Sequence, residues 1–235
     1  MMTLRFSRRF KQTAIGFSLA AITTPFVCAA GADFEQTIRA ISGHRPPDHL
    51  DRKTTAFVII DFQKEFFSGR LAVPDGKEAM KNARRLLHLA SLRHMPVFLV
   101  RHVAPADSAV FAINSEAAKL QPDIKPRRQD TLLQKSTVSA FASTDLDKRL
   151  KAAHITTIVV AGLTTHASVS GTARDAVPLG YHVIVASDAS ATRGIIRANG
   201  ETIDKDTLQR AALAEIEDSF GNVMSTSQIM RLPVR

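Results

Sequence analysis

Cysteine is nearly missing from this chain of 235 residues: the single one, Cys28, falls within the first 32. If that stretch is removed, disulfides, thiolate metal sites and cysteine nucleophiles are excluded together. Aromatic residues amount to only 6% and tryptophan is absent. No segment beyond residue 32 approaches the roughly 20 consecutive apolar residues that a membrane-spanning helix requires. The formal charge of +9 overstates the basicity, because Arg5, Arg8, Arg9 and Lys11 lie in the first 32 residues with no acid to offset them, leaving +5 for the rest. The one local basic run, Lys125-Pro126-Arg127-Arg128, has no aromatic neighbour on which bases could stack, so nucleic acid is not an expected partner.

What is present begins with a composite leader. Four basic residues precede the apolar stretch Ala14 to Ile22, and small residues follow up to Ala32. This is the build of a secretory signal peptide cleaved near Ala30 or Ala32. The arginine pair in Ser7-Arg8-Arg9-Phe10-Lys11 is out of step with twin-arginine spacing. Residues 1–32 therefore read as a signal, 33–53 as an N-terminal arm, and 54–235 as a single domain, since 45% hydrophobic residues suffice for one core. The expected location is the periplasm or the exterior, in soluble form and away from the membrane once the signal is lost.

Within the domain, apolar runs recur at wide spacing: Ala56 to Ile60, Pro96 to Val100, Ile158 to Ala161, His182 to Ala186, and a weaker Asn222 to Met224. They are continuous rather than alternating, as strands buried on both faces should be. Helical stretches lie between them, at 77–93, 146–153, 166–179 and 207–220. Strands separated by helices predict an α/β, Rossmann-like three-layer sandwich with a parallel sheet and helices on both faces. Polar residues follow each run: Asp61, Arg101-His102, Gly162 to Thr165, and Ser187-Asp188. Ligands of open parallel sheets bind at that carboxyl edge.

Three blocks in order, Ile59-Ile60-Asp61-Phe62-Gln63 with Phe66 and Phe67, Lys135 to Phe141, and Gly162-x-x-Thr165-x-x-Ser168-Val169-x-x-Thr172-Ala-Arg-Asp-Ala176, resemble the isochorismatase-like cysteine hydrolase superfamily, which includes nicotinamidases and other amidohydrolases. The resemblance covers about residues 54 to 226. It implies a six-stranded parallel sheet and a triad of Asp, Lys and Cys, falling here on Asp61, Lys135 and Ser168. It also implies a cis peptide at Leu163-Thr164 and an oxyanion hole formed by the backbone N–H groups of Thr164 and Ser168. Gln63, Phe67, His102, Phe141 and Thr165 are the candidate substrate-binding residues, and Phe66 and Phe111 are further candidates for an apolar pocket. The segments Gly69 to Gly76 and Ser139 to Phe141 are similar to those of the amide-hydrolysing branch.

Serine at the nucleophile position departs from the family. A cysteine becomes a standing thiolate when a helix N-terminus and a lysine lower its pKa. A serine hydroxyl is too weak an acid for that and needs its proton removed during attack. Asp61, held ionised by Lys135, is expected to be a feeble base. His166 lies two residues from Ser168, a separation that does not share a helical face, so His102 is the better histidine candidate. No Asp-x-His motif with a further histidine is present, and neither metal nor other cofactor is expected. The readings left open are a serine amidohydrolase acting on a small molecule, an isochorismatase-type hydrolase that protonates a vinyl ether or adds water without a covalent intermediate, and an inactive small-ligand binder. The resemblance further implies a homo-oligomer.

Overall fold

The computed structural model describes residues 35–235, so the predicted signal peptide and Cys28 lie outside the described residues. Residues 36–235 form one compact unit. Its strands are β1 (Thr55–Ile60), β2 (Val97–His102), β3 (Thr131–Lys135), β4 (Thr157–Leu163), β5 (His182–Ala191), β6 (Ile195–Ile196), β7 (Thr202–Ile203) and β8 (Asn222–Met224). Its α-helices are α1 (Ile38–Ile41), α2 (Glu65–Ser68), α3 (Gly76–Leu92), α4 (Leu146–Ala152), α5 (Ser170–Ala176), α6 (Lys205–Ser219) and α7 (Thr226–Arg231), with a π-helical turn at Thr165–Val169 leading into α5.

Six strands make one sheet in the order β3-β2-β1-β4-β5-β8, and every neighbouring pair is parallel. β6 and β7 form a separate antiparallel hairpin. The central strand β1 is buried at all six positions, the expected result for an apolar run sandwiched between helical layers. Its alternate side chains feed two cores. Phe57 and Ile59 meet Ala83, Leu86 and Leu89 of α3 on one face. Ala56, Val58 and Ile60 meet Leu146 and Leu150 of α4, Ala173 of α5 and Ile216 of α6 on the other. Each fully buried leucine, such as Leu86, contributes about 1.5 to 3 kcal/mol through apolar burial.

The arm is tied down at its end: Leu50 is buried, its N–H donates to the Pro233 carbonyl, and its own carbonyl accepts from Arg235 N–H. No helix among the described residues is long and apolar enough to cross a membrane. β3 does not announce itself in the apolar pattern, because as an edge strand it alternates exposed and buried positions. β5 runs five residues past the predicted end, because its carboxyl half carries Ser187, Asp188 and Ser190.

Candidate active site

Three sheet strands and one turn deliver the site. β1 ends at Ile60, and Asp61 follows with φ of 57°, in the left-handed region that aspartate tolerates better than most residues. Asp61 N–H still donates to the Val100 carbonyl of β2 at 2.8 Å, so the turned residue stays anchored to the sheet. Lys135 closes β3, and Ser168 stands in the π-helical turn that follows β4.

The three side chains meet. Lys135 Nζ lies 2.7 Å from Asp61 Oδ2, with both side chains 1% exposed. Ser168 Oγ donates to the same Asp61 Oδ2 at 2.8 Å. Lys135 Nζ also donates to Ser168 Oγ at 3.3 Å and to the Thr137 carbonyl at 3.2 Å. His102 Nδ1 is a fourth neighbour of the ammonium, at 3.3 Å. An ammonium has no lone pair to offer, so Nδ1 accepts there and the ring proton of a neutral His102 belongs on Nε2. Asp61 Oδ1 is buried without a hydrogen-bond partner.

Burial raises the proton affinity of Asp61 above that of an ordinary carboxylate, and the attraction of Lys135 only partly opposes it. Lys135 itself favours the ionised form, and burial opposes it. A carboxylate that binds protons more tightly is a stronger base. His102 shifts the other way, since burial first and the Lys135 charge second disfavour its protonated form.

A cavity of about 200 Å³ opens onto this cluster, with Phe66, Leu71, Phe111 and Val138 as its apolar wall. His102, His166 and Arg193 are its other titratable neighbours. Thr164, Ala167 and Ser168 contribute the turn itself. The Leu163-Thr164 peptide is cis. The N–H groups of Ala167 and Val169 both donate to the Thr164 carbonyl at 3.2 Å, whereas that of Ser168, between them, makes no bond to it. Gly162 is required where β4 passes β1, because a Cβ there would fall 2.4 Å from the Ile60 carbonyl oxygen. Among the described residues, no three His, Cys, Asp or Glu side chains converge in a cluster able to hold a metal ion.

Several candidate substrate contacts stand elsewhere. Gln63 is wholly buried. Its Nε2 donates to the carbonyls of His102 and Ala118 at 2.7 and 2.8 Å, and its Oε1 accepts from His102 N–H at 2.7 Å. The left-handed turn at Asp61 breaks strand alternation, so Gln63 does not share the face of Asp61 and instead clamps the end of β2. Phe141 belongs to the core and stacks on Tyr181 with ring centroids 5.6 Å apart. Phe67 packs near Gly76 at the start of α3. Thr165 is fully buried behind the turn, its Oγ1 unpartnered. Of the predicted contacts, His102 lines the cavity, as do Phe66 and Phe111.

Leu71, Val138, His166 and Arg193 line the cavity without having been singled out as pocket residues. Leu71 lies inside the Gly69 to Gly76 segment that the sequence did flag. Arg193 follows the polar half of β5, where the apolar run gave no sign that the strand continued.

Comparison with known proteins agrees with the fold. The chain is 31% identical over 184 residues to a secreted isochorismatase effector, Isc1, of Verticillium dahliae, covering 78% of this chain and 94% of that protein. A streptothricin hydrolase of Streptomyces noursei is 33% identical over 141 residues, covering 60% of this chain and 50% of that one. The crystal structure of an isochorismatase from Pseudomonas putida superimposes with a TM-score of 0.77 at 29% identity, covering 83% of this chain and all of the other. The isochorismatase domain model matches residues 55–228, and the chain belongs to the isochorismatase family.

Proposed function

We propose that this protein is an exported hydrolase that cleaves a C–N amide bond of a small molecule, with Ser168 as nucleophile at the position where the family resemblance places cysteine. The observation that carries the reading is the 2.8 Å hydrogen bond from Ser168 Oγ to Asp61 Oδ2, made inside a cavity open to a small ligand. Asp61 removes the hydroxyl proton as Oγ attacks the amide carbon, a task its raised proton affinity favours. Lys135, 3.3 Å from Oγ, offsets the negative charge that gathers there. The N–H of Ser168, which makes no bond to the Thr164 carbonyl, and that of Thr164 are the donors for the tetrahedral oxyanion. Asp61 then returns its proton to the departing nitrogen, leaving an ester on Ser168. Export is supported by the leader-like first 32 residues, and a relative, Isc1, is described as secreted. The streptothricin hydrolase relative supports hydrolysis as the reaction type.

One observation favours a second reading. A buried Asp61 with raised proton affinity is also suited to protonate a vinyl ether, a route that needs no nucleophile. Amide hydrolysis by the mature protein, read as ammonia release from a panel of small primary amides and ureido acids, decides between them when Ser168→Ala and Ser168→Cys are run beside it. Loss in the alanine variant with retention in the cysteine variant supports covalent attack. Undiminished ammonia release by Ser168→Ala supports direct water attack without a covalent intermediate, and the vinyl-ether route predicts no ammonia from any of the three proteins. Silence in the wild type with activity in Ser168→Cys identifies a binder whose enzyme chemistry has been disabled.

A further inference from the structure

We infer that His166 is the general base that activates water to clear the acyl group from Ser168, an assignment that rests on the covalent reading above and extends it. An ester of serine is less reactive toward water than the thioester a cysteine would give, so the second half of the reaction makes the greater demand for a base. Asp61 also lines the cavity, but it is 1% exposed and ion-paired with Lys135. Water arrives from the cavity side, where His166 stands half-buried.

Helical spacing of two residues would turn His166 away from Ser168. The turn is not α-helical: Val169 N–H reaches back five residues to the Thr164 carbonyl at 3.2 Å, so the wider π geometry holds. His166, Ala167 and Ser168 nonetheless all line the same cavity. The cavity, of about 200 Å³, has room for a small acyl group and attacking water.

The imidazole is oriented. Its Nδ1 is hydrogen-bonded to the hydroxyl of Thr192, a residue only 2% exposed just past β5. In the tautomer in which Nδ1–H donates to Thr192 Oγ1, the one the proposal requires, Nε2 is the free acceptor. The charged groups around the cavity are Arg193, which follows Thr192, and Asp61, Lys135 and His102 from the sheet edge. Asp61 and Lys135 offset each other, and His166 makes no ion pair among the described residues. Burial and the Arg193 charge both disfavour the imidazolium, which leaves a neutral base at neutral pH.

In the step, an O–H bond of water breaks and its proton passes to His166 Nε2, while the oxygen lone pair forms the new bond to the acyl carbon. The tetrahedral intermediate then expels Oγ as the C–Oγ bond breaks, and the imidazolium returns the proton to Oγ. The products are a carboxylic acid and the free serine, with water as the only co-reactant.

The test uses p-nitrophenyl acetate and the mature protein, with stopped-flow absorbance and intact-mass analysis. His166→Gln is expected to keep a nitrophenolate burst of about one per site while steady-state turnover falls about 100-fold, with acetyl accumulating on Ser168. Added imidazole should restore turnover in His166→Gly, and the acid limb of the deacylation rate should vanish in His166→Gln. Thr192→Val, which keeps the ring but loses its anchor, should slow deacylation less. Acetyl clearance by a folded His166→Gln at the wild-type rate overturns the inference, as does joint loss of burst and turnover. If His166→Gln fails to fold, Thr192→Val decides, and unchanged deacylation there overturns the assignment. Acetylation of wild-type Ser168 sustains the covalent reading whatever His166 does. No burst in any form, with full hydrolysis by Ser168→Ala, overturns both.

Discussion

Replacing Lys135 by methionine keeps most of the side-chain volume and removes the charge that faces Asp61. Both partners are 1% exposed, so solvent does not screen the loss. Breaking a buried pair on one side costs about 3 to 5 kcal/mol, because a lone carboxylate is left in a low-dielectric interior. The cost has a ceiling, since Asp61 escapes it by taking a proton. Relative to an unfolded aspartate near pKa 3.9, holding Asp61 protonated costs about 4 kcal/mol at pH 7 and about 1.5 kcal/mol at pH 5, at 1.36 kcal/mol per unit. Asp61 already binds protons more tightly in the folded chain than in the unfolded one, and Lys135→Met raises that affinity further. A raised folded pKa gives a contribution that is complete below the unfolded value and is lost as pH rises. Lys135→Met should therefore be most destabilised at neutral pH and recover toward pH 5 by about 2 to 3 kcal/mol. Urea unfolding at both pH values measures this, with Asp61→Asn/Lys135→Met expected to regain most of the loss. A destabilisation that is equal at pH 5 and pH 7, or additive in the double variant, would refute the buried-pair account.

Gly162→Ala sets a Cβ 2.4 Å from the Ile60 carbonyl oxygen and 2.8 Å from Ile60 Cβ. Thermal unfolding should show a loss of at least about 1 to 3 kcal/mol, with activity falling as the adjacent Asp61 shifts, whereas a wild-type midpoint contradicts the packing argument. Gln63→Leu strips partners from His102 N–H and from the carbonyls of His102 and Ala118. At about 1 to 3 kcal/mol for each buried group left unpaired, urea unfolding should register roughly 3 kcal/mol or more, and a change under 1 kcal/mol would show that the clamp is dispensable. Protonating His102 sets a second cation 3.3 Å from Lys135 Nζ. Acylation by p-nitrophenyl acetate should decline on the acid side with a midpoint below the ordinary imidazole value of 6.5, the direction in which burial moves His102. His102→Asn should remove the part of that decline due to the second cation and leave the part due to protonation of Asp61, and an unaltered profile would exclude His102 as a source.

The sheet was legible because β1, β4 and the first halves of β2 and β5 carry continuous apolar runs, as strands covered on both faces do. β3 was not, because an edge strand with Thr131, Gln134 and Lys135 alternates in a way that reads as a loop. Lys135 itself was recoverable only through the resemblance of its block, since a lysine between Gln134 and Ser136 looks solvated until the fold buries it. Asp61 stood out at a strand end, whereas Ser168 was assigned through the resemblance of the block that follows β4. The substrate contacts fared less well for definable reasons. The left-handed turn at Asp61 redirects Gln63, and aromatic identity does not reveal that Phe141 faces Tyr181 while Phe111 faces the cavity. His166 was set aside by helical spacing, yet it and Ser168 line the same cavity.

The central claim is that the hydroxyl hydrogen-bonded to Asp61 is the group that attacks. Mature protein quenched with acid during turnover of p-nitrophenyl acetate, digested and mapped by tandem mass spectrometry, tests it most directly. The account requires the acetyl group on the peptide containing Ser168, at Ser168 itself, and its absence from Asp61→Asn. Turnover proceeding with Ser168 unmodified at every quench time, or with the acetyl group carried by another residue, would contradict it.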